Sequence, residues 1–153
     1  MLHFDHNEIK EISGDFNDFM PNWKELYLQN NQIKTLDTSL VKSVSILDVS
    51  YNQITEAKFH DLKLTELLIG NNDLKVLTIN ENLEKLVSAG NQVNSYYVDL
   101  KENKKLKYLD LRDSKLNSKT EVIDTIMTLK QLTHLNLCDI PLNLHSRKAC
   151  SII

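Results

Sequence analysis

Leu64-Thr-Glu-Leu67-Leu-Ile69-Gly-Asn-Asn72-Asp-Leu74 is the stretch that decides how this chain folds. Its pattern is L-x-x-L-x-L-x-x-N-x-L, with Leu67 and Ile69 separated by one residue. A short strand sends alternate side chains to opposite faces, so Leu67 and Ile69 share an inward face while Leu68 looks the other way. A single copy of eleven residues cannot bury its own apolar side, and the rest of the chain supplies the neighbours that it needs.

Six further copies carry the same slots. They are Leu2, Phe4, Asn7 and Ile9 (a partial first copy); Trp23, Leu26, Leu28, Asn31 and Ile33; Val44, Leu47, Val49, Asn52 and Ile54; Leu83, Leu86, Ser88, Asn91 and Val93; Leu106, Leu109, Leu111, Ser114 and Leu116; and Leu132, Leu135, Leu137, Ile140 and Leu142. The asparagine slot falls at residues 7, 31, 52, 72, 91, 114 and 140, in steps of 19 to 26 residues. Self-similarity at such a period marks coils that stack side by side around a shared interior. The inward asparagine is expected to hydrogen-bond backbone groups left open where the strand bends away, because buried backbone donors and acceptors need partners. Ser114 can do part of that work with one hydroxyl, and Ile140 none of it, so the ladder is expected to loosen at copy seven. Ser88 in an inward leucine slot predicts a small cavity or a local backbone adjustment.

The connecting stretches contribute Ile12, Phe16 and Phe19 after copy one, Leu36 and Leu40 after two, Phe59 and Leu62 after three, and Leu77 and Ile79 after four. The short steps around copies three to five leave room for extended or single-turn 3₁₀ return paths and not for full helices. The longest gap differs. Ser118-Lys-Thr-Glu121 matches a capping box, and Val122, Ile123, Ile126, Met127 and Leu129 follow at helical spacing. This predicts an α-helix over 119–129 whose Met and Ile stripe packs in the core. The fold class that results is an α/β solenoid, with a curved parallel β-sheet, an irregular or 3₁₀ convex side and one α-helix near 119–129. It forms a single domain over 1–153, with a tail from 143 to 153.

The 153 residues carry a formal net charge of −3, with 25% charged and 41% hydrophobic residues, a balance that implies no nucleic-acid surface. The densest basic cluster, Lys101, Lys104, Lys105 and Lys107, is diluted by Asp99 and Glu102 and reads as a solvated loop. No transmembrane segment or signal peptide is visible. Leu2 occupies the middle slot of a repeat with no polar cap before it. A piece of a longer chain is therefore expected, with association through the uncapped N-terminal end as the alternative. Of the two cysteines, Cys138 follows the last strand and Cys150 lies in the tail. Either a partly buried and an exposed thiol or a 138–150 disulfide satisfies the spacing. The final Cys150-Ser151-Ile152-Ile153 fits a prenylation box only loosely. No Asn-x-Ser/Thr acceptor occurs, which disfavours a glycosylating secretory route.

Runs such as Leu26-Tyr-Leu28-Gln-Asn-Asn31-Gln-Ile33 and Leu47-Asp-Val49-Ser-Tyr-Asn52-Gln-Ile54 resemble the leucine-rich repeat superfamily, over about residues 2–144. Short irregular copies with Asn-Asn pairs are similar to invertebrate secreted immune proteins of this class, of the mosquito complement-pathway and Toll-like ectodomain kind. Asp139-Ile-Pro-Leu142 looks like the Asn-Pro-Leu that often precedes their Cys-rich cap, but Leu144 stands where the first cap cysteine is expected. The resemblance implies a non-catalytic module that binds a protein partner on its concave sheet, without a cofactor. If the chain is part of a secreted protein it is extracellular; otherwise it is cytoplasmic. The alternative is an intracellular scaffold or regulatory subunit, lipid-anchored at Cys150.

Slot by slot, the outward strand positions assemble a patch of Tyr27, Ile46, Leu68, Val87 and Tyr108, bordered by Asp48, Glu66, Lys85, Asp110 and Arg112. Contiguous apolar residues on a solvent-facing sheet tend to mark interaction sites, and aromatic anchors inside a charged rim match the anatomy of binding patches. Packing of neighbouring strand residues on one another is the plainer alternative. Chemistry is weakly represented. His3 and His6 lack a further ligand anchored nearby, His134 with Cys138 and Asp139 lacks an assured orienting group, and no Gly-rich phosphate loop is present.

Overall fold

A computed structural model describes residues 1–13, 22–93, 99–116 and 120–140. Seven strands succeed one another: β1 (Leu2–His3), β2 (Glu25–Tyr27), β3 (Ile46–Asp48), β4 (Glu66–Leu68), β5 (Lys85–Val87), β6 (Tyr108–Asp110) and β7 (His134–Asn136). They form one parallel sheet in sequence order, so each coil lies against only the coil before and the coil after. The register follows the repeat slots: Leu2, Leu26, Leu47, Leu67, Leu86, Leu109 and Leu135 stand side by side. From Leu26 to Leu109 this row is fully buried, as are Leu64, Ile69, Leu74, Leu83 and Leu106 from neighbouring slots. Burial of each such side chain contributes about 1.5–3 kcal/mol, and that is what drives the coils to pile up.

The asparagine slot joins each coil to the one before. Asn72 Nδ2 donates to Val49 O of the preceding coil (3.0 Å) and to Ile69 O and Gly70 O of its own, while its Oδ1 accepts the Ile54 N–H (2.9 Å). Asn31, Asn52 and Asn91 repeat the arrangement on Ile9, Ile33 and Leu74. Ser114 does not continue it. Its Oγ is buried without a hydrogen-bond partner, which corrects the expectation that the hydroxyl does part of the work: the shorter side chain reaches neither coil. Ser88 is fully buried, yet the register runs through β5 undisturbed, and its Oγ lies 3.4 Å from Asn91 Nδ2.

One residue before each of these slots the backbone turns left-handed. His6, Asn30, Tyr51, Asn71, Gly90, Asp113 and Asp139 all have φ between 53° and 68°. The kink turns the chain out of the sheet and aims the following side chain inward. Asn, Asp and Gly suit it because they visit this region at least cost. At Gly90 a Cβ would also meet Asn71 Oδ1 at 2.7 Å.

The return paths are short, as the spacing predicts. A 3₁₀ turn, η1 (Thr38–Val41), is capped by Asp37, whose carboxylate accepts the Ser39 N–H (2.9 Å) and is held below the usual aspartate range by its hydrogen bonds to Ser39. Isolated parallel bridges join Thr35 to Glu56 and Lys58 to Thr78. The longest gap forms α1 (Thr120–Met127). Val122 and Ile126 of the helix and Leu129 just beyond it are buried, but Met127 is 70% exposed. The expected core stripe is therefore narrower than the apolar pattern: Met127 lies a quarter turn past Ile126 and flanks the contact face. The capping serine, Ser118, lies outside the described residues, as do Phe16, Phe19, Leu142 and the 143–153 tail.

Candidate partner-binding face

Each central strand buries its middle residue and leaves the flanking two half-open. The outward residues of all the strands form the concave face in parallel rows. One row runs Glu25, Ile46, Glu66, Lys85, Tyr108 and His134; the next runs His3, Tyr27, Asp48, Leu68, Val87, Asp110 and Asn136. Nine of the ten expected patch residues thus lie in these two rows, with Ile46 adjoining Glu25 and Glu66, and Leu68 adjoining Asp48 and Val87; the tenth, Arg112, follows β6 two residues beyond Asp110. Gly70 and Ala89, two residues beyond Leu68 and Val87, are buried. With so little side chain there, the apolar pair borders a low shelf.

Polar contacts order the rest. Tyr27 stacks on the His3 ring (centroids 4.7 Å apart), and its hydroxyl donates to Glu25 Oε2 at 3.1 Å. Burial, the bond to Glu25, and the carboxylates of Glu25, Glu66 and Asp48 together raise the Tyr27 phenol above its ordinary ionisation range. Lys85 bridges Glu66 (3.2 Å) and the Tyr108 ring (5.9 Å), and Tyr108 stacks on His134. Asp110 faces the same way but is 1% exposed: it holds the Arg112 guanidinium at 3.1 Å and accepts the Arg112 N–H. Of the pair, Arg112 is the member open to solvent.

The other sequence candidates have these neighbours among the described residues. His3 Nδ1 lies 3.3 Å from Asp5, and His134 is held by Tyr108 and Thr133. Cys138 is half-buried, with its N–H donated to Asn136 Oδ1; Cys150 and its pairing lie outside the described residues. No cluster of three or more His, Cys, Asp or Glu among the described residues is arranged to hold a metal. No described helix is long and apolar enough to cross a membrane. At the β1 end, Met1 and Phe4 are exposed, and an open hollow of about 330 Å³ is lined by Phe4, Ile9, Ile12, Trp23, Leu26 and Val41.

Two features go beyond what the repeat slots predict. Asn80 and Asn103 form a second ladder, donating to Leu64 O and Asn80 O at 2.8 Å each. Ser45, Thr65 and Thr133 donate their hydroxyls to Lys24 O, Ser45 O and Lys107 O of the preceding coils. The signal for the first is present in the sequence: each asparagine stands three residues before the first leucine of its copy, Leu83 or Leu106.

Comparison with known proteins agrees with this architecture. A family profile described as Leucine Rich repeats (2 copies) matches residues 1–41. The chain is 33% identical over 134 residues to an adenylate cyclase of Schizosaccharomyces pombe, taking in 77% of this chain and 8% of that protein. It is 36% identical over 55 residues to fibromodulin of Oryctolagus cuniculus, 35% of this chain and 37% of that protein. A leucine-rich repeat protein of Leptospira interrogans has a similar structure, with TM-score 0.70 and 27% identity over 84% of this chain and 34% of that one. The chain spans well under half the length of each of these. The slots, the solenoid and these likenesses make it a member of the leucine-rich repeat superfamily. Proteins with this fold are typically protein-interaction modules, and the fold is generally a non-enzymatic scaffold.

Proposed function

We propose that this chain docks a partner protein on the concave face of its sheet, at Tyr27, Ile46, Leu68, Val87 and Tyr108 and their charged border. The observation that carries the proposal is the apolar pair Leu68–Val87, adjacent in the register, with Ile46 on the diagonal from Leu68, all left half-open on the outward side of the strands. Apolar area that stays accessible in the folded chain is removed from water when a partner covers it, and rigid aromatic side chains such as Tyr27 and Tyr108 add area at small entropic cost. No catalytic group is needed for this activity, and the side-chain polar contacts of the face preorganise it.

Leu68→Asp tests the reading. The side chain is half-open, so the variant should keep the parent's circular dichroism and urea midpoint, while its affinity for a partner isolated on the parent protein falls at least about tenfold, or ~1.4 kcal/mol. Unchanged affinity in the folded variant would move docking away from this face.

A further inference from the structure

The concave face is not evenly charged. Across β2, β3 and β4 its outward positions carry Glu25, Asp48 and Glu66 and no lysine or arginine. The outward cations Lys85 and Arg112 belong to the β5–β6 half, where Arg112 pairs with Asp110 and Lys85 lies over Tyr108; Lys85 also reaches Glu66 at 3.2 Å, which leaves Glu25 and Asp48 as the carboxylates without a cation at ion-pair distance among the described residues. Ile46 sits between Glu25 and Glu66 in the register, with Tyr27 and Asp48 in the next row. Strands lie about 4.8 Å apart, which puts the two glutamate positions roughly 10 Å from each other across an apolar floor.

From this geometry we infer that the β2–β4 half of the concave face receives a cationic segment of a partner protein, an arginine or lysine stem lying on Ile46 with its head among Glu25, Asp48, Glu66 and the Tyr27 ring. The inference rests on the docking reading above and names the chemistry of what docks. The match is one of both charge and shape. A long basic side chain has an apolar stem and a charged tip, and it covers apolar surface best where carboxylates flank that surface. A guanidinium also stacks on tyrosine and forks onto carboxylates. An adjacent apolar residue of the same segment would rest on Leu68 and Val87, above the shelf of Gly70 and Ala89. The anionic field acts on Tyr27 already, since all three carboxylates oppose ionisation of its phenol. The same field repels phosphate-rich polyanions, so a nucleic acid or an anionic lipid surface is the wrong occupant.

The test uses the ¹⁵N-labelled full chain and two synthetic probes, an alternating arginine–leucine hexapeptide and its glutamate–leucine counterpart. The basic peptide should shift the amides of Glu25–Tyr27, Ile46–Asp48 and Glu66–Leu68, and should bind severalfold more weakly as salt is raised. The triple variant Glu25→Gln, Asp48→Asn, Glu66→Gln removes the three charges while keeping side-chain size and one acceptor oxygen at each position, and should lose at least about tenfold in affinity. Removing three exposed carboxylates elsewhere (Asp73→Asn, Glu81→Gln, Glu102→Gln) should leave affinity unchanged. Equal loss in both variants, equal binding of the acidic peptide, or no shift with either peptide at millimolar concentration overturns the inference. Shifts on these strands that survive the first triple variant overturn it while leaving the docking face standing. Shifts confined to residues off the concave face remove both.

Discussion

Residue 51 is where a single side chain is most at odds with its backbone. Six of the seven kinks before the asparagine slots carry His, Asn, Gly or Asp, and the seventh carries Tyr51 at φ 54°. A left-handed conformation costs an ordinary L-residue about 1–2 kcal/mol, and asparagine much less, because its short polar side chain bonds locally. Tyr51 recovers little by packing, being 57% exposed. Tyr51→Asn should therefore stabilise the fold by about 1 kcal/mol, which for a chain of this size raises Tm by roughly 3 °C. Thermal unfolding followed by circular dichroism measures it, and an unchanged or lower Tm would mean that the phenol ring makes up for the strain. The same scale shows what the sequence could reveal. The asparagine slots are legible because an amide recurring at a fixed offset inside an apolar pattern must be bonding to backbone there. The kinks are harder to see. Residues 6, 30, 51, 71, 90, 113 and 139 form a periodic column, but a tyrosine and a histidine within it obscure the preference for Asn, Asp and Gly.

At the scale of elements, the strands and their register follow directly from the slots, since a period of two beside a buried leucine row leaves one choice of face. The helix is legible in place but not in detail. Its apolar pattern spans more of the circumference than the core accepts, and only tertiary packing decides which edge of the stripe is left out. Ile126 and Met127 separate the two roles. Ile126→Ala removes a side chain that is 2% exposed and should cost about 2–4 kcal/mol. Met127→Ala, one residue on, should change stability by less than about 0.5 kcal/mol. Urea midpoints of the two variants check this, and a comparable loss in both would mean that Met127 is covered in solution. The Asp110–Arg112 pair is opaque for a similar reason. Slot counting gives the direction of a side chain but not its burial, so a carboxylate counted on the outer face proves to be buried and paired with Arg112.

For the whole molecule, stability in a stack of coils is close to a sum of coil terms and nearest-neighbour interfaces, and a weak interface lets one end open before the rest. The asparagine ladder runs from Asn31 to Asn91 and breaks at Ser114. The described coils on the far side of that break, with β7 at the sheet edge, have lost a set of buried bonds that every central interface keeps. Hydrogen exchange should accordingly find the amides of Ile33, Ile54 and Leu74, which donate to ladder asparagines, exchanging only in global opening, and those of His134–Asn136 exchanging through a cheaper local one. Ser114→Asn would restore the missing rung. By the geometry of the other rungs its Oδ1 would take the Val93 N–H, and its Nδ2 would donate to Ser88 O and Leu111 O. A satisfied buried amide in place of an unpartnered hydroxyl should add about 1–2 kcal/mol at the junction of the β5 and β6 coils, and the gain should appear first in β6, whose protection would rise toward that of the central strands. If protection in β6 stayed as in the parent while β3–β5 alone gained, the β5–β6 interface would owe its weakness to something other than the broken ladder.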